Sequence, residues 1–382
     1  MKCKLSDICV FRKGKVDVSK LTLKTYISTE NMLPNKGGVT EASSLPTVQL
    51  TQEYKKGDIL VSNIRPYFKK IWQAKYDGGC SNDVLVFQGN SNIDGDFLYY
   101  ILANDDFFAY SMATSKGTKM PRGDKTSIMQ YEMPIFDIDT QRKIASVLRS
   151  LDEKIELNST INNNLEQQAQ AYFDELFVVN ADPNWLECTL SDIGSVVAGG
   201  TPSKSKPEYY ADQGIAWITP KDLSVNKSKF ISHGENDISE LGFSKSSAAK
   251  MPAGTILFSS RAPIGYIAIA QNEVTTNQGF KSVIPNENIG TAYLYFLLKN
   301  LLPTIEGMAS GSTFKEISGS TMKSVPTVMP DADTIQLFSS FCEPVFKEQE
   351  ILEAENQRLS ALRDSLLPKL MSGELDVSDI DL

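Results

Sequence analysis

Two kinds of hydrophobic spacing alternate along the chain, and each occurs twice. Short apolar runs are entered through a glycine, KKGDILVS at 55–62 and PAGTILFS at 252–259, and read as strands that begin at a tight turn. DVLVF (83–87), YIAIAQ (266–271) and KSVIP (281–285), set off by Gly, Asn and Pro, are further strands. FLYYILANDDFFAYSM (97–112) and TAYLYFLLKNLLPTI (291–305) carry long apolar and aromatic side chains without alternation, which predicts one well-buried helix in each half.

A different rhythm follows each set. Residues 139–177 contain neither Gly nor Pro, and Ile144, Val147, Leu148, Leu151, Ile155, Ile161, Leu165, Ala169, Tyr172, Phe173 and Leu176 recur at intervals of three and four, with one gap around Asn158. Residues 333–375 repeat the plan with Ile335, Phe338, Val345, Ile351 or Leu352, Leu359, Leu362, Leu366 and Leu370; Pro344 predicts a kink or restart and Pro368 a bend. A helix of about 38 residues is about 57 Å long. With one apolar stripe it is not stable alone, and the other half supplies its match. Equivalent exits from equivalent domains favour an antiparallel pair, while a parallel pair trailing from two packed domains also satisfies burial. Asn158 and Glu355 are polar interruptions suited to fixing register.

The duplication extends beyond these rhythms. LSDI occurs at 5–8 and at 190–193, and then, in the same order, YKKGDILVSNIRP (54–66) matches MPAGTILFSSRAP (251–263), CSNDVLVF (80–87) matches TNQGFKSVIP (276–285), and SKGTKMPRGD (115–124) matches SGSTFKEISG (310–319). The period is far too long for a solenoid and means two homologous domains. The expected architecture is α+β: two pseudo-repeated, mainly-β recognition domains joined by two long helices forming an antiparallel coiled coil. The segments are a first domain at 1–136, a first long helix at 137–178, a second domain at 179–330, a second long helix at 331–375 and an acidic tail at 376–382.

Composition changes this picture in one respect. The net charge of −9 is spread unevenly: +4 over 1–136, −4 over 137–178, −1 over 179–330 and −8 over 331–382. Acid thus gathers in the helices, leaving the first domain basic enough for nucleic acid. The five cysteines are scattered and form no C-x-x-C, as expected in a reducing compartment. Neither a signal peptide nor a long apolar span is evident, so the expected location is cytoplasmic.

Motifs for catalysis by the chain itself are missing. No G-x-G-x-x-G, P-loop or amino-methyltransferase tetrad is found, and the glycine-containing run 196–210 leads into Pro and Lys rather than a helix. His233 is the only histidine, in a polar loop, so neither a metal nor a cofactor is expected in this chain.

DNA reading needs Arg, Lys, Asn, Gln, Ser or Thr on loops that reach base edges, with cations on the flanking phosphates. In the first domain Asn63, Arg65, Tyr67, Lys69 and Lys70 form one candidate cluster, and Lys116, Lys119, Arg122 and Lys125 form a second, around two glycines. In the second domain the candidates are Thr201, Ser203, Lys204 and Lys206, then Lys221, Arg261, Asn277 and Gln278. Asn277-Gln278-Gly279 also reads as a turn whose side chains satisfy backbone groups. Trp72, Trp185 and Trp217 are read as packing residues.

The phrases GGTPSKSKPEYYADQGIA (199–216), WITPKDLS (217–224), MPAGTILFSSRAPIGYIAI (251–269), TTNQGFKSVIP (275–285), GSTFKEI (311–317) and LLPKLMSGEL (366–375) resemble those of the specificity subunits of type I restriction–modification systems. So do YISTENM (26–32), GDILVSNIRPYFKKIW (57–72) and DTQRKIASVL (139–148). The resemblance implies two target-recognition domains, each reading half of an asymmetric bipartite duplex, and two helices that set the spacer. It also implies two modification subunits that use S-adenosylmethionine to methylate adenine, and up to two motor nuclease subunits that use ATP and Mg²⁺. The second half departs from that pattern in lacking a positive balance. A duplicated protein–protein adaptor with acidic docking helices, and a stand-alone DNA enzyme, remain as other readings.

Overall fold

In the computed structural model, which describes residues 2–311, 315–378 and 380, the glycine-led apolar runs are strands buried on both faces. Ile59 and Val61 point into one core and Leu60 into another; Leu85 and Phe87 join the first, Val84 and Val86 the second. A strand covered on both sides has no polar face, which is why these runs read as continuously apolar. The turns behave as the glycines require: Gly57 has φ 91° and Gly254 φ 83°, a region costly for any residue with a Cβ.

The residues group into two units, Met1–Glu156 with Gln357–Leu382, and Leu157–Asn356. In the first, an antiparallel sheet runs in the order Cys9–Phe11, Val84–Gly89, Ile59–Ser62, Ile71–Gln73. A second sheet has Lys15–Asp17, Leu50–Tyr54, Gly78–Cys80 and Tyr26–Ile27, the last pair parallel. The second unit repeats the plan with Gly194–Ala198, Lys281–Pro285, Ile256–Ser260 and Ile264–Ala270, extended by Phe230–Ile231, and with Tyr210–Ala211, Asn236–Ile238, Ile215–Ile218 and Thr275–Thr276, again ending in a parallel pair. Both copies of LSDI are single helical turns, closed by Asp7 and Asp192 accepting the backbone N–H of Lys4 and Thr189 at 2.8 Å, with Leu5 and Leu190 fully buried.

Two expectations from the sequence are corrected. Each aromatic-rich stretch is two helices rather than one: Gly95–Ala103 and Asp105–Ala113, and Thr291–Asn300 and Leu302–Met308. Asn104 adopts extended backbone (φ −67°, ψ 140°), and its side chain accepts the N–H of Asp106, so it caps a new helix instead of continuing the old one. The second long helix runs without a break through Pro344 and Pro368, from Ala332 to Ser372, so it does not restart at Pro344. Phe338 and Cys342 before Pro344, and Leu367 and Leu370 around Pro368, are buried in the cores, and this packing offsets the lost backbone bond. The acidic segment after this helix makes contacts of its own: Val377 is buried, Ile380 lies against the same core, and Lys143 donates to the carbonyl of Ser378 at 2.7 Å. Asp379, Asp381 and Leu382 of that segment, and Ser312–Phe314 of the GSTFKEI phrase, lie outside the described residues.

The first long helix spans Ile138–Asp174 and runs into a single π turn, Glu175–Val179. Within each unit it pairs with the second long helix in antiparallel sense. In the first unit Asp152 takes Arg363 at 2.7 Å, while Ile144, Ala145 and Leu148 share a core with Leu367, Leu370 and Met371. In the second, Asn158 donates to Glu355 at 2.8 Å and Asn356 at 2.9 Å, Gln349 donates to the carbonyl of Asn162, and Tyr172 packs on Phe338 and Phe341. Asn158 is fully buried, a polar contact inside the seam of the kind that selects one register.

Both long helices are also held by the globular core of the second unit. Lys229, 6% exposed, meets Glu166 of the first helix at 2.6 Å and Gln349 of the second at 2.7 Å, and lies 3.8 Å from the centre of the Phe346 ring. Glu353 accepts the backbone N–H groups of Lys229 and Phe230, while Lys299 and Tyr295 reach Glu166. Burial disfavours the ammonium of Lys229 and holds its pKa below the ordinary value; burial also opposes the Glu166 carboxylate, yet Lys229 and Lys299 pull its pKa below normal.

Candidate nucleic-acid interface

In the first unit the two basic clusters meet through the backbone. Asn63 donates its N–H to the carbonyl of Asp83 (2.8 Å) and accepts that of Gly123 (3.1 Å); Arg65 donates to Pro121 (2.8 Å). Arg122 is bridged to Ile64 on one side and Lys116 on the other. Between Arg65 and Lys69, both at positive φ, Pro66–Phe68 make one tight turn that leaves Tyr67 and Phe68 exposed, with ring centres 4.7 Å apart. Asn63 Oδ1 and Arg65 Nε are buried there without a partner among the described residues.

The cations differ in how far they are committed. Lys69 and Lys36 share Asp105 at 2.7 and 3.1 Å, Lys116 takes Asp124 at 2.5 Å, and Arg122 reaches Asp83 at 3.2 Å. The Lys116 ammonium and the N–H of Ser127 draw the Asp124 pKa down to about 2. Lys70 turns inward to the carbonyl of Thr29, and burial lowers its pKa. Among the described residues no carboxylate lies within ion-pair distance of Lys119 or Lys125, and both are exposed. Lys36 was not identified from the sequence; Asn35 and Lys36 donate to the carbonyls of Phe68 and Lys69 at 2.8 Å, bringing a distant loop onto the basic turn. The Asn-Lys-Gly-Gly run at 35–38 was its local turn signal.

In the second unit Thr201 is hydrogen-bonded to Gln278, and Gly200 donates to the carbonyl of Thr276 at 2.8 Å. Gly199 permits that approach, since a Cβ there would lie 2.0 Å from the carbonyl oxygen of Asn277. Asn277 behaves as a turn residue, its Oδ1 accepting the N–H of Gly279 at 2.9 Å. Ser260 donates to the carbonyl of Gly279 through both N–H and hydroxyl, which sets Arg261 beside this turn. Ser203, Lys204 and Lys206 are exposed on the turn before Pro207, with Lys206 near Glu208. Lys221 follows Pro220, which lies against Gly279 of this turn, and is paired with Glu235 at 2.5 Å.

Trp72 and Trp217 are buried and Trp185 is half-buried against Phe177, so none stands free as a base-stacking platform. His233 lies exposed, with a ring nitrogen 3.0 Å from the hydroxyl of Ser232. Among the described residues no group of three or more His, Cys, Asp or Glu is arranged to hold a metal ion, and no helix is long and apolar enough to cross a membrane.

Comparison with known proteins agrees with the duplication. The family model described as the type I restriction modification DNA specificity domain matches twice, at residues 1–167 and 183–361. The HindI type I restriction enzyme specificity subunit of Haemophilus influenzae is 27% identical over a 455-residue alignment that covers 97% of this chain and 98% of that protein. The MjaIX specificity subunit of Methanocaldococcus jannaschii is 40% identical over 190 residues, 47% of this chain and 44% of the relative. The crystal structure of a type I restriction–modification S subunit from M. genitalium shares the fold, with a TM-score of 0.63 at 18% identity over 97% of this chain and 96% of that one.

Proposed function

The chain belongs to the type I restriction–modification DNA specificity family, and from that membership we propose how its two halves divide the work. The chain is a non-catalytic specificity subunit that recognises DNA sequence. Each globular domain reads one half of an asymmetric bipartite duplex site, and the paired helices fix the distance between the halves. In the first domain Asn63, Arg65, Tyr67, Lys69, Lys116, Lys119, Arg122 and Lys125, joined by Lys36, face the duplex, while Lys70, turned to the carbonyl of Thr29, holds the turn. In the second, Thr201, Ser203, Lys204, Lys206, Lys221, Arg261, Asn277 and Gln278 do so.

The observation that carries this reading is the repeated frame: in both units a polar or basic turn after the central strand is tied by backbone bonds to a second polar loop. Such ties fix side chains at set positions, as base reading demands, while exposed lysines around them suit phosphates. Two modification subunits, carrying the S-adenosylmethionine site, assemble on the helices, and motor nuclease subunits supply the ATP and Mg²⁺ chemistry. The target adenine leaves the stack to enter a modification subunit's pocket. The complex acts in the cytoplasm.

The test is to map methylated adenines in a randomised duplex pool exposed to the chain with its modification subunits. A bipartite motif with fixed spacing is expected. Exchanging the first domain should change one half only, and lengthening the first helix should change the spacing or abolish activity without changing the halves. A spacer-independent pattern would favour the adaptor reading instead.

A further inference from the structure

The frame just described occurs in both units with its charges inverted. In the first, Arg122 is bridged to Ile64 and Lys116; in the second, Glu316 is bridged to Arg261 and Ser310. Ile64 and Arg261 hold the same place after the central strand, and the backbone bond from Asn63 to Asp83 has its counterpart from Ser260 to Gly279. The anchoring ion pair therefore runs opposite ways. Arg122 is held by Asp83, which is glycine in the second unit, whereas Glu316 is held by Arg261 at 3.5 Å, where the first unit has isoleucine, and by Lys281 at 4.0 Å.

We propose that Arg122 and Glu316 occupy one base-reading position of opposite hydrogen-bond polarity in the two recognition domains. This rests on the DNA-reading function proposed above and assigns the class of base edge each domain takes. Arg122 presents only donors, and its planar fork matches the O6 and N7 acceptors of guanine. Glu316 presents only acceptors and takes the amino group of cytosine or adenine.

Three features separate this position from an ordinary surface ion pair. Both side chains are accessible, at 55% for Arg122 and 41% for Glu316, so neither is spent on the core. Each backbone is hydrogen-bonded on both sides: Arg122 exchanges N–H and carbonyl with Lys116 at 2.9 Å both ways, and Glu316 does so with Ser310 at 2.9 and 3.1 Å. The ion pair then orients the side chain before DNA arrives, which lowers the ordering cost of binding. A carboxylate on a surface that approaches phosphates is also repelled unless a base donor meets it. Glu316 was not among the sequence-derived candidates, because its exposed glutamate in GSTFKEI carries no cationic signal.

The experiment uses the full chain with its modification subunits on a randomised duplex pool, with methylated adenines sequenced at two salt concentrations. Arg122→Gln and Glu316→Gln are compared with the charge-swapped pairs Arg122→Glu with Asp83→Arg and Glu316→Arg with Arg261→Glu, which keep an ion pair should the single variants fail to fold. At one position of one half-site, discrimination should fall by about ten- to a hundredfold for each glutamine variant. The swapped pairs should exchange the preferred donor or acceptor, and the other half-site should remain as in the parent. Uniform weakening on all sequences, with a shallower salt dependence and both half-site motifs intact, would mean phosphate contact and overturn the assignment, as would unchanged motifs in the swapped pairs. A parent complex without any bipartite motif overturns the proposed function, and this inference with it.

Discussion

Glu166→Leu tests whether the second recognition domain is pinned to the helices by charge. The substitution leaves the Lys229 ammonium, 6% exposed, with the Gln349 carbonyl at 2.7 Å and ring faces, the nearest centred at 3.8 Å, but without the carboxylate at 2.6 Å. Removing one partner of a buried pair costs about 3–5 kcal/mol. Lys299 is 33% exposed and can turn to water, and the surviving ring and carbonyl contacts hold part of the charge, so about 3 kcal/mol is expected. Removing the ammonium as well, in Glu166→Leu with Lys229→Met, takes away the stranded charge, and the penalty should fall below about 1.5 kcal/mol. Hydrogen–deuterium exchange of the full chain, read at amides 229–231 and 346–353, gives the local opening free energy. A single variant costing under about 1 kcal/mol, or a double variant no more stable than the single, refutes the reasoning.

The same cluster predicts a pH dependence. The Glu166 pKa is lowered in the folded state, so its contribution is present above the unfolded value near 4.5 and is lost as pH falls through the depressed folded value; Glu166→Gln should flatten that part of an acid-unfolding profile. Gly254→Ala should lower thermal stability more than Gly57→Ala. Both force a Cβ into positive φ, at a cost of about 1 kcal/mol, but at Gly254 the new atom would lie 2.6 Å from Thr291 Oγ1, and at Gly57 it meets nothing within 4 Å. Lys119→Ala should weaken duplex binding equally on all sequences and reduce the slope of log affinity against log salt by about 1; a changed sequence preference would contradict a phosphate role.

The parts of this fold that repeat were readable in the chain. LSDI, the two glycine-led strands and the three-four spacing of Ile144 to Leu176 are local patterns, and duplication let each support the other. The antiparallel helix pairing also followed, because equivalent domains leave equivalent exits. What failed was local signals overruled by tertiary packing. Pro344 looks like a restart, yet Phe338 and Cys342 before it are held in the core. Asn104 was passed over inside an apolar stretch, although its short side chain is well suited to cap a helix. Lys229 is buried by groups more than a hundred residues away along the chain, among them the Phe346 ring, the Gln349 amide and the Glu353 carboxylate. The basic turn in the first domain was visible as composition, but the docking of Lys36 onto it and the charge inversion at Glu316 arise from backbone bonds between distant loops.

The core of the first unit draws on Leu367, Leu370, Met371 and Val377 as well as on residues near the start of the chain. On the ribosome, the leading domain therefore emerges with part of its hydrophobic surface uncovered and waits for more than two hundred further residues, while the continuous stretch 157–356 has everything its own core needs earlier. The half synthesised first is the half completed last, and a nascent chain stalled before Leu367 would present an open apolar seam to chaperones and proteases.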